Sequence, residues 1–150
     1  MKFTVVGTPI PQGSLKAFMP KGWTRPVLTA DNKKTKPWRQ LVAVACQREL
    51  RGDLPAGNGV PMRVELEFYF DRPQSVKKWA DKTTKPDIDK LARSILDALT
   101  GVAFEDDSQV TELRCVKAFG SPARVEIVVE EALPPAVRLA PVQEALPLPF

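Results

Sequence analysis

The clearest element in the chain is a strand over Met62–Phe70, where apolar and polar residues alternate in the sequence MRVELEFYF. Its apolar side chains fall at every second position and the positions between them are mostly charged, which is typical of a strand with one buried face. The segment Lys2–Gly7 repeats this alternation with Phe3 and Val5. Both segments are therefore predicted to be strands whose inner faces belong to the core.

Apolar residues that recur every three or four positions predict two helices. The first begins at Pro37, a residue that suits the first turn of a helix, and ends near Leu50. The second runs from Ile88 to about Thr100 and is bracketed by a proline and a glycine. The apolar face of the first helix is formed by Trp38, Leu41, Val42, Ala45 and Cys46, and that of the second by Ile88, Leu91, Ala92, Ile95, Leu96 and Leu99.

Two further strands and two long loops complete the predicted domain. Residues 109–119 and 123–130 are strand-like on either side of a GSP turn, which predicts an antiparallel hairpin. Residues 8–37 are a long connection rich in proline, glycine and lysine, and loops of this length are usually functional or disordered. Residues 71–86 have no amphipathic period and are predicted to be a mobile loop.

The element order β-α-β-α-β-β predicts a single α+β domain over residues 1–132, with a small mixed sheet and helices on one face. Residues 133–150 contain five prolines and are predicted to be a disordered tail. No segment approaches 18 consecutive apolar residues, and the N-terminus does not resemble a signal peptide. Because Cys46 and Cys115 lie inside apolar segments, they are predicted to be reduced thiols, which indicates a cytoplasmic protein. No contact with a membrane is predicted.

The net charge of +4 is unevenly distributed along the chain. Residues 1–60 hold ten Lys or Arg residues against three Asp or Glu residues, whereas residues 87–110 hold two against six. A phosphate backbone as partner would account for the basic first half, because its neutralisation releases counterions. Ordinary solubilising lysines would account for it equally well, so charge alone leaves nucleic-acid binding open.

Four carboxylates around the second helix are the candidate chemistry of the chain. Asp87 and Asp89 stand at its predicted start, and Asp106 and Asp107 follow its end. If the next strand packs beside the start of the helix, either Asp106 or Asp107 would come close to Asp87 and Asp89. Such a cluster repels itself unless a cation neutralises it, and Mg²⁺ or Mn²⁺ prefers oxygen ligands. The ion would activate a water molecule for attack on a phosphodiester.

Each of these residues also has a structural explanation. Asp87 would serve as an N-cap, and an Asp pair before a strand is common in turns. Arg93 is placed to orient a carboxylate or a phosphate, but Asp89, Arg93 and Asp97 would equally form a surface ladder of ion pairs. Trp79 would either pack on the domain surface or stack on a base of distorted DNA. Spacing alone does not decide between these alternatives.

The stretch KPDIDKLARSILDALTGVAFEDDSQV resembles the signature of the RusA-type Holliday junction resolvases, endodeoxyribonucleases of bacteria and their phages. That signature is K/R-x-D-x-D-N-L, a basic residue six positions after the first Asp, then D-A-L and D-D-x-Q-V. The segments GTPIPQGS and KKTKPWRQ also resemble phage-type members. The resemblance covers most of residues 1–130 and leaves out the proline-rich tail.

The resemblance implies a homodimer that binds a four-way DNA junction and makes paired symmetric nicks with Mg²⁺, leaving 5′-phosphate and 3′-hydroxyl ends. Its essential, metal-binding carboxylates fall on Asp87, Asp89 and Asp107, and its basic catalytic residue on Arg93. A dimer is physically reasonable because two equivalent sites cut two strands symmetrically. Predicted contacts to the DNA backbone are Lys33, Lys34, Lys36, Arg39, Lys77, Lys78 and Lys85.

This chain departs from the signature at two positions. Arg93 replaces the usual lysine, which keeps the charge and changes the geometry. Lys90 replaces the asparagine that usually follows the second Asp. Two other functions fit the residues: a module that binds branched DNA without cutting it, and a nucleotidyltransferase that uses D-x-D with GTPIPQGS as a phosphate loop. Mutation of the carboxylates and protection by nucleotides would separate these functions.

Overall fold

A computed structural model describes residues 1–13, 15–25, 27–30, 33–77 and 81–133. Six strands and two α-helices follow one another along these residues, and a single 3₁₀ turn at Asp107–Gln109 precedes the fifth strand. The elements are β1 (Lys2–Val6), β2 (Leu15–Phe18), β3 (Val27–Ala30), α1 (Thr35–Leu50), β4 (Met62–Phe70), α2 (Ile88–Leu99), β5 (Val110–Phe119) and β6 (Arg124–Glu131). The predictions made for Lys78, Trp79 and the tail from residue 134 lie outside the described residues.

Four of the strands form one mixed sheet in the order β1-β6-β4-β5. β6 is antiparallel to both β1 and β4, whereas β4 and β5 are parallel and are joined through α2. β4 is the longer of the two central strands, and its side chains alternate between buried and half-buried positions over its whole length. The strand predicted at Met62–Phe70 therefore has the predicted bounds and the predicted buried face.

The core lies between one face of this sheet and the two helices. β4 contributes Val64, Leu66 and Phe68, and β6 contributes alternate residues from Val125. α2 covers them with Leu91, Ile95 and Leu99, and α1 covers them with Trp38, Val42 and Cys46. The other face of the sheet carries ion pairs, among them Arg124–Glu126 and Arg114–Glu67. The predicted single α+β domain with both helices on one face is confirmed.

Both helices run opposite to β1, β4 and β5. Near the start of α1, the Trp38 ring approaches the Cα of Gly7 so closely that a Cβ added there would lie 3.2 Å from it. Near the end of α1, the Cys46 sulfur lies 3.8 Å from the Met1 sulfur. Because Met1 and Gly7 flank β1, α1 is antiparallel to that strand. The two helices consequently begin at the same end of the sheet.

Two expectations about the strands are wrong. β5 and β6 are not a hairpin, because β4 lies between them in the sheet. Their connection crosses the end of β4, where the Gly120 amide donates to the Phe70 carbonyl at 2.9 Å. A Cβ at Gly120 would lie 2.8 Å from the Tyr69 ring, so this crossing requires glycine.

The long connection of residues 8–37 is also more ordered than expected, because β2 and β3 pair within it as a two-stranded antiparallel ribbon.

The centre of α2 should contribute strongly to stability. The side chain of Ile95 is fully buried, so Ile95→Ala leaves a cavity and is expected to lower the free energy of unfolding by about 2–5 kcal/mol. Leu54→Ala is the matched control, because Leu54 is 86% exposed and its loss should change stability by less than about 0.5 kcal/mol. Urea denaturation measures both, and equal effects of the two substitutions would contradict this description of the core.

Candidate functional site

The start of α2 presents two carboxylates to solvent. Asp87 is the N-cap residue of the helix, as predicted, but its side chain makes no capping hydrogen bond. Its Oδ2 instead lies 3.3 Å from Lys90 Nζ, with both side chains close to half exposed. Asp89 is exposed in the first turn. The two carboxylates therefore remain accessible at a helix end whose dipole favours negative charge.

The loop that leads into Asp87 is held by two lysines that the sequence did not single out. Lys117, near the end of β5, donates to the carbonyls of Thr84 at 2.9 Å and Pro86 at 2.7 Å. Lys82 donates to the Thr84 hydroxyl at 2.7 Å and to the Lys85 carbonyl. Burial and the neighbouring Lys117 ammonium lower the pKa of Lys82. These bonds fix the backbone immediately before the two carboxylates.

The turn after α2 is built around the other two carboxylates, which have different surroundings. Asp106 accepts a hydrogen bond from the Ser108 amide at 2.9 Å, and its own amide donates to Gln109 Oε1 at 3.0 Å. Gln109 also donates through Nε2 to the carbonyl of Gly57 at 2.8 Å. Asp106 is thus engaged in a capping box, whereas the neighbouring Asp107 is exposed.

This turn lies at the far end of α2 from Asp87 and Asp89. Lys117 reaches Pro86 beside the start of α2, so the end of β5 is at the start of the helix. The beginning of β5, at Val110, is seven residues away, which is roughly 23 Å of extended strand. The expectation that the next strand would return Asp106 or Asp107 to the start of α2 is therefore not met within one chain.

The grouping of the carboxylate donors decides how one chain could hold a metal ion. Asp87 and Asp89 supply the oxygen ligands that a hard divalent cation prefers. Over the described ranges, however, no group of three or more Asp, Glu, Cys or His side chains is close enough to hold a metal ion. Asp87 and Asp89 can therefore meet a cation with water as the remaining ligands, but Asp107 does not join them within one chain.

Arg93 and Arg39 occupy contrasting surroundings. Arg93 is exposed one turn after Asp89, on the same side of α2, and forms no ion pair with the described residues. The expected ladder from Asp89 through Arg93 to Asp97 is absent there, because Asp97 pairs with Arg39 of α1. Arg39 also donates to Gln12 Oε1. Arg39 therefore joins α1 to its neighbours, while Arg93 is available to a ligand.

Basic residues gather at the end of the sheet where α1 and α2 begin. Lys33, Lys34 and Lys36 are exposed around the first turn of α1, and Lys85 is exposed just before α2. Lys77 is exposed in the loop after β4. At the opposite end, where the helices finish, acidic side chains predominate: Glu49, Asp53, Glu105, Asp106 and Asp107 against Arg48 and Arg51. The charge asymmetry of the sequence thus becomes an asymmetry between two ends of the molecule.

The ribbon formed by β2 and β3 adds one residue that the sequence pattern did not indicate. Trp23 lies between the two strands and is 62% exposed, and Met19 is 56% exposed. Basic residues Lys21 and Arg25 flank Trp23. An exposed aromatic among lysines and arginines is a composition suited to stacking on a base, but a single tryptophan in a proline-rich loop gives no periodic signal.

Comparison with known proteins identifies the family. A family model described as endodeoxyribonuclease RusA matches residues 7–130. The chain belongs to the RusA endodeoxyribonuclease family. It is 32% identical over 142 residues to the uncharacterized protein YqaN of Bacillus subtilis (strain 168), covering 87% of this chain and 96% of that one. It is also 32% identical over 73 residues to the crossover junction endodeoxyribonuclease rusA of Lactococcus phage r1t, covering 48% of this chain and 56% of the phage protein.

Membership of the RusA family confirms the predicted relationship to the Holliday junction resolvases and the prediction that the chain is an endonuclease. The matched residues include both carboxylate pairs and the basic segments around α1. Within the described ranges, neither helix is long and apolar enough to cross a membrane.

The charge of Asp106 should matter for stability, since hydrogen bonds from Ser108 lower the pKa of this carboxyl group. A carboxyl group with a lowered pKa in the folded state stabilises the protein above its ordinary pKa near 4, and this contribution disappears as the pH falls through the lowered value. Asp106→Ala should therefore reduce the unfolding temperature at pH 7, and the difference from wild type should shrink at about pH 2.5.

Glu105→Ala is the control for this measurement, because Glu105 is the exposed neighbour and makes no capping bond. Thermal unfolding followed by circular dichroism at both pH values gives the comparison. If Asp106→Ala lowers the unfolding temperature by the same amount in acid as at pH 7, the cap does not depend on the negative charge of Asp106.

Proposed function

We propose that this RusA-family endonuclease is Mg²⁺-dependent, with Mn²⁺ able to replace Mg²⁺, and that it cuts four-way DNA junctions by paired symmetric nicks. The proposal rests on the family match and on two exposed, accessible carboxylates, Asp87 and Asp89, at the positions of the family's D-x-D motif. The phage relative is a crossover junction endodeoxyribonuclease by name, which supports a crossover junction as substrate. Its place would be DNA recombination, repair or phage DNA processing in the cytoplasm of a bacterial or phage-infected cell.

Asp107 is proposed as the third carboxylate in preference to Asp106. The Asp106 side chain is already engaged by the Ser108 amide, and its pKa is lowered by that contact. Asp107 has an exposed carboxylate one residue later. This difference agrees with the family pattern, which places the essential residue on the second Asp of the pair.

A homodimer would bring the three carboxylates together. Asp87 and Asp89 lie at one end of α2 and Asp107 beyond the other, and α2 itself is about 18 Å long over its 12 residues. A two-fold axis that passes beside the middle of α2, perpendicular to the helix, would exchange these ends, so that Asp107 of the partner subunit would face Asp87 and Asp89. The same operation places the basic end of one subunit beside the acidic end of the other, which is electrostatically favourable.

The protein groups around this composite site have separate tasks. A divalent cation held by the three carboxylates would supply an activated water molecule and charge stabilisation at the phosphate. Arg93, unpaired among the described residues, would orient a phosphate oxygen or a carboxylate. The exposed lysines at the start of α1, with Lys77, Lys78 and Lys85, would contact the DNA backbone. Among the described members of this set, Arg39 is the least accessible.

Residues 1–132 are proposed as the endonuclease domain, with residues 133–150 as a tail outside it. This division agrees with the family match, which ends at residue 130, and with the last described strand, which ends at Glu131.

The choice between the two neighbouring aspartates gives a direct test. Asp107→Asn is expected to reduce the nicking rate of a four-way junction by roughly 100-fold or more, because metal binding contributes several kcal/mol of charge stabilisation. Asp106→Asn keeps an oxygen that accepts the capping bond and should stay within about threefold of wild type. Nicks are mapped on end-labelled junctions with Mg²⁺, with Mn²⁺ and without a divalent ion.

The outcome of this mapping also separates the alternatives. Unaltered nicking by Asp107→Asn would remove this residue from the site. Binding of the junction with no nicking in either metal would favour a branched-DNA binding module. Asymmetric cuts, or cuts throughout a linear duplex, would indicate a general nuclease.

Mixing inactive variants tests the composite site. If each site takes Asp89 from one subunit and Asp107 from the other, a dimer of Asp89→Asn with Asp107→Asn contains one intact site and should nick one strand. A mixture of Asp87→Asn with Asp89→Asn is the control, because both sites of that dimer stay damaged. If the first mixture is as inactive as the control while subunit exchange is demonstrated by differently tagged chains, the three carboxylates do not combine across the dimer.

A further inference from the structure

A pocket lies beside Asp87 at the end of the sheet where both helices begin. Its volume is about 570 Å³, within the usual range of small-molecule sites. One side is formed by residues 8–12, which follow β1, and the other by residues 82–87, which precede α2. Its lining comes largely from the two segments that carry the family resemblance, GTPIPQGS and the stretch that begins at Lys85, and it includes the candidate ligand Asp87. The metal chemistry proposed for Asp87 gives the cavity itself no role.

Both walls of the pocket are held by bonds to the rest of the fold. On one side, the backbone amide of Gln12 donates to the Lys90 carbonyl at 2.8 Å, and the Thr35 hydroxyl donates to the Pro11 carbonyl at 3.1 Å. On the other side, Lys82 and Lys117 bind the carbonyls of residues 84–86. The cavity is therefore formed before a ligand arrives, which lowers the entropy lost on binding.

The lining combines an apolar floor with a cationic rim. Pro11 and Pro86 are half-buried and present apolar surface on the two walls. Pro9 and Phe70 close the bottom, where the Lys82 ammonium lies 5.2 Å from the centre of the Phe70 ring. Lys85 and Lys90 supply ammonium groups at the edge. A flat apolar surface next to positive charge suits a ligand that has an aromatic ring and an anionic group on the same short unit, which describes a nucleotide.

Gln12 adds a directional group. Arg39 of α1 donates to Gln12 Oε1, which fixes the orientation of the amide and leaves Nε2 as the end with no partner among the described residues. An amide nitrogen donates two hydrogen bonds and accepts none. A base seated in the pocket would therefore be favoured when its exposed edge carries an acceptor.

We propose that this pocket receives one unstacked nucleotide of the DNA strand, next to the phosphate that is cut, with its base between Pro11 and Pro86 and its phosphate at Lys85 and Lys90. The inference rests on the proposed function, because it takes Asp87 as part of the reacting site. It adds a binding site for a single base, and with it a place where the nucleotide beside the cut is distinguished from others.

An abasic scan tests the occupant on the wild-type chain. A four-way junction carries a single abasic nucleotide, placed in turn at each position around the branch point of one strand, and its affinity is measured by fluorescence anisotropy without a divalent metal. Stacking of one base contributes enough that its loss is expected to weaken binding about tenfold at one position. Uniform affinity across the scan would overturn the proposal.

Val6 at the end of β1 and Thr8 just after it are both exposed, and they give a matched pair of variants. Thr8→Trp places a large side chain at the pocket and should lower affinity about tenfold, with no further loss on the abasic junction. Val6→Trp adds the same side chain two residues earlier, outside the pocket lining, and should keep the affinity and abasic sensitivity of wild type. Full abasic sensitivity in Thr8→Trp would show that the base sits elsewhere.

A charge variant covers the case in which Thr8→Trp does not fold. Lys85→Gln should weaken binding of the intact junction and reduce the salt dependence by about one phosphate contact. Arg48→Gln also removes one positive charge, about 20 Å from the start of α1, and should change neither the affinity nor the salt dependence. Equal salt slopes for both variants would place the phosphate away from Lys85 and count against the proposal.

The remaining comparisons separate this inference from its alternatives. If the wild-type protein nicks junctions but its affinity is the same for every abasic position, the nucleotide pocket is wrong and the proposed nuclease stands. If one abasic position weakens binding but no junction is nicked with any metal ion, the nucleotide pocket stands and the proposed nuclease is wrong. Free deoxynucleoside 5′-monophosphates at millimolar concentration should not raise the unfolding temperature, and strong protection by them would mark a site for free nucleotides instead of DNA.

Discussion

The direction of α2 relative to β4 and β5 is the constraint on which the candidate site depends. Two parallel strands joined through a helix require the helix to run back along them, so residues before the helix and residues after it lie at opposite ends. Buried contacts of Leu91, Ile95 and Leu99 with the sheet hold α2 in this direction. The separation of Asp87 from Asp107 is therefore a property of the fold and not of side-chain conformations. A site that uses both must be completed by symmetry.

Elements with a strong hydrophobic period could be predicted from the sequence, and their pairing could not. The bounds of β4 were predicted to the residue and those of α2 to within one, because each has a nearly unbroken apolar pattern that only one conformation buries. The hairpin expected from the GSP turn was wrong because a short turn joins strands that are close in space without requiring that they pair. β6 is buried at alternate positions, whereas the side chains of β5 are half-buried or exposed, and this places β5 at the edge.

The candidate site was predictable in its residue types and not in its assembly. The D-x-D motif and the Asp pair are visible in the sequence, and Asp106 and Gln109 have the D-x-x-Q spacing of a capping box. Only the structure, however, shows that Asp106 is engaged by Ser108 while Asp107 is exposed. The roles of Lys82 and Lys117 depend on carbonyl groups brought together by the sheet, which no local pattern reports. Arg39 was predicted to contact DNA because of its charge, and this stays a prediction; the sequence pattern did not indicate its contacts with Gln12 and Asp97.

The unusual Lys90 is compatible with a nuclease site because its contact with Asp87 is weak. Both side chains are more than 40% exposed, and an ion pair of this kind contributes on the order of 1 kcal/mol or less. An arriving cation carries twice the charge of an ammonium group, and an arriving phosphate attracts Lys90 itself. Either ligand would separate the pair at little cost. In the free protein, Lys90 neutralises a carboxylate that has no capping bond, and a bound phosphate would attract the same side chain. Of the two departures from the family motif, Lys90 therefore adds a positive charge where phosphate is expected, whereas Arg93 keeps the charge of the usual lysine and changes its geometry.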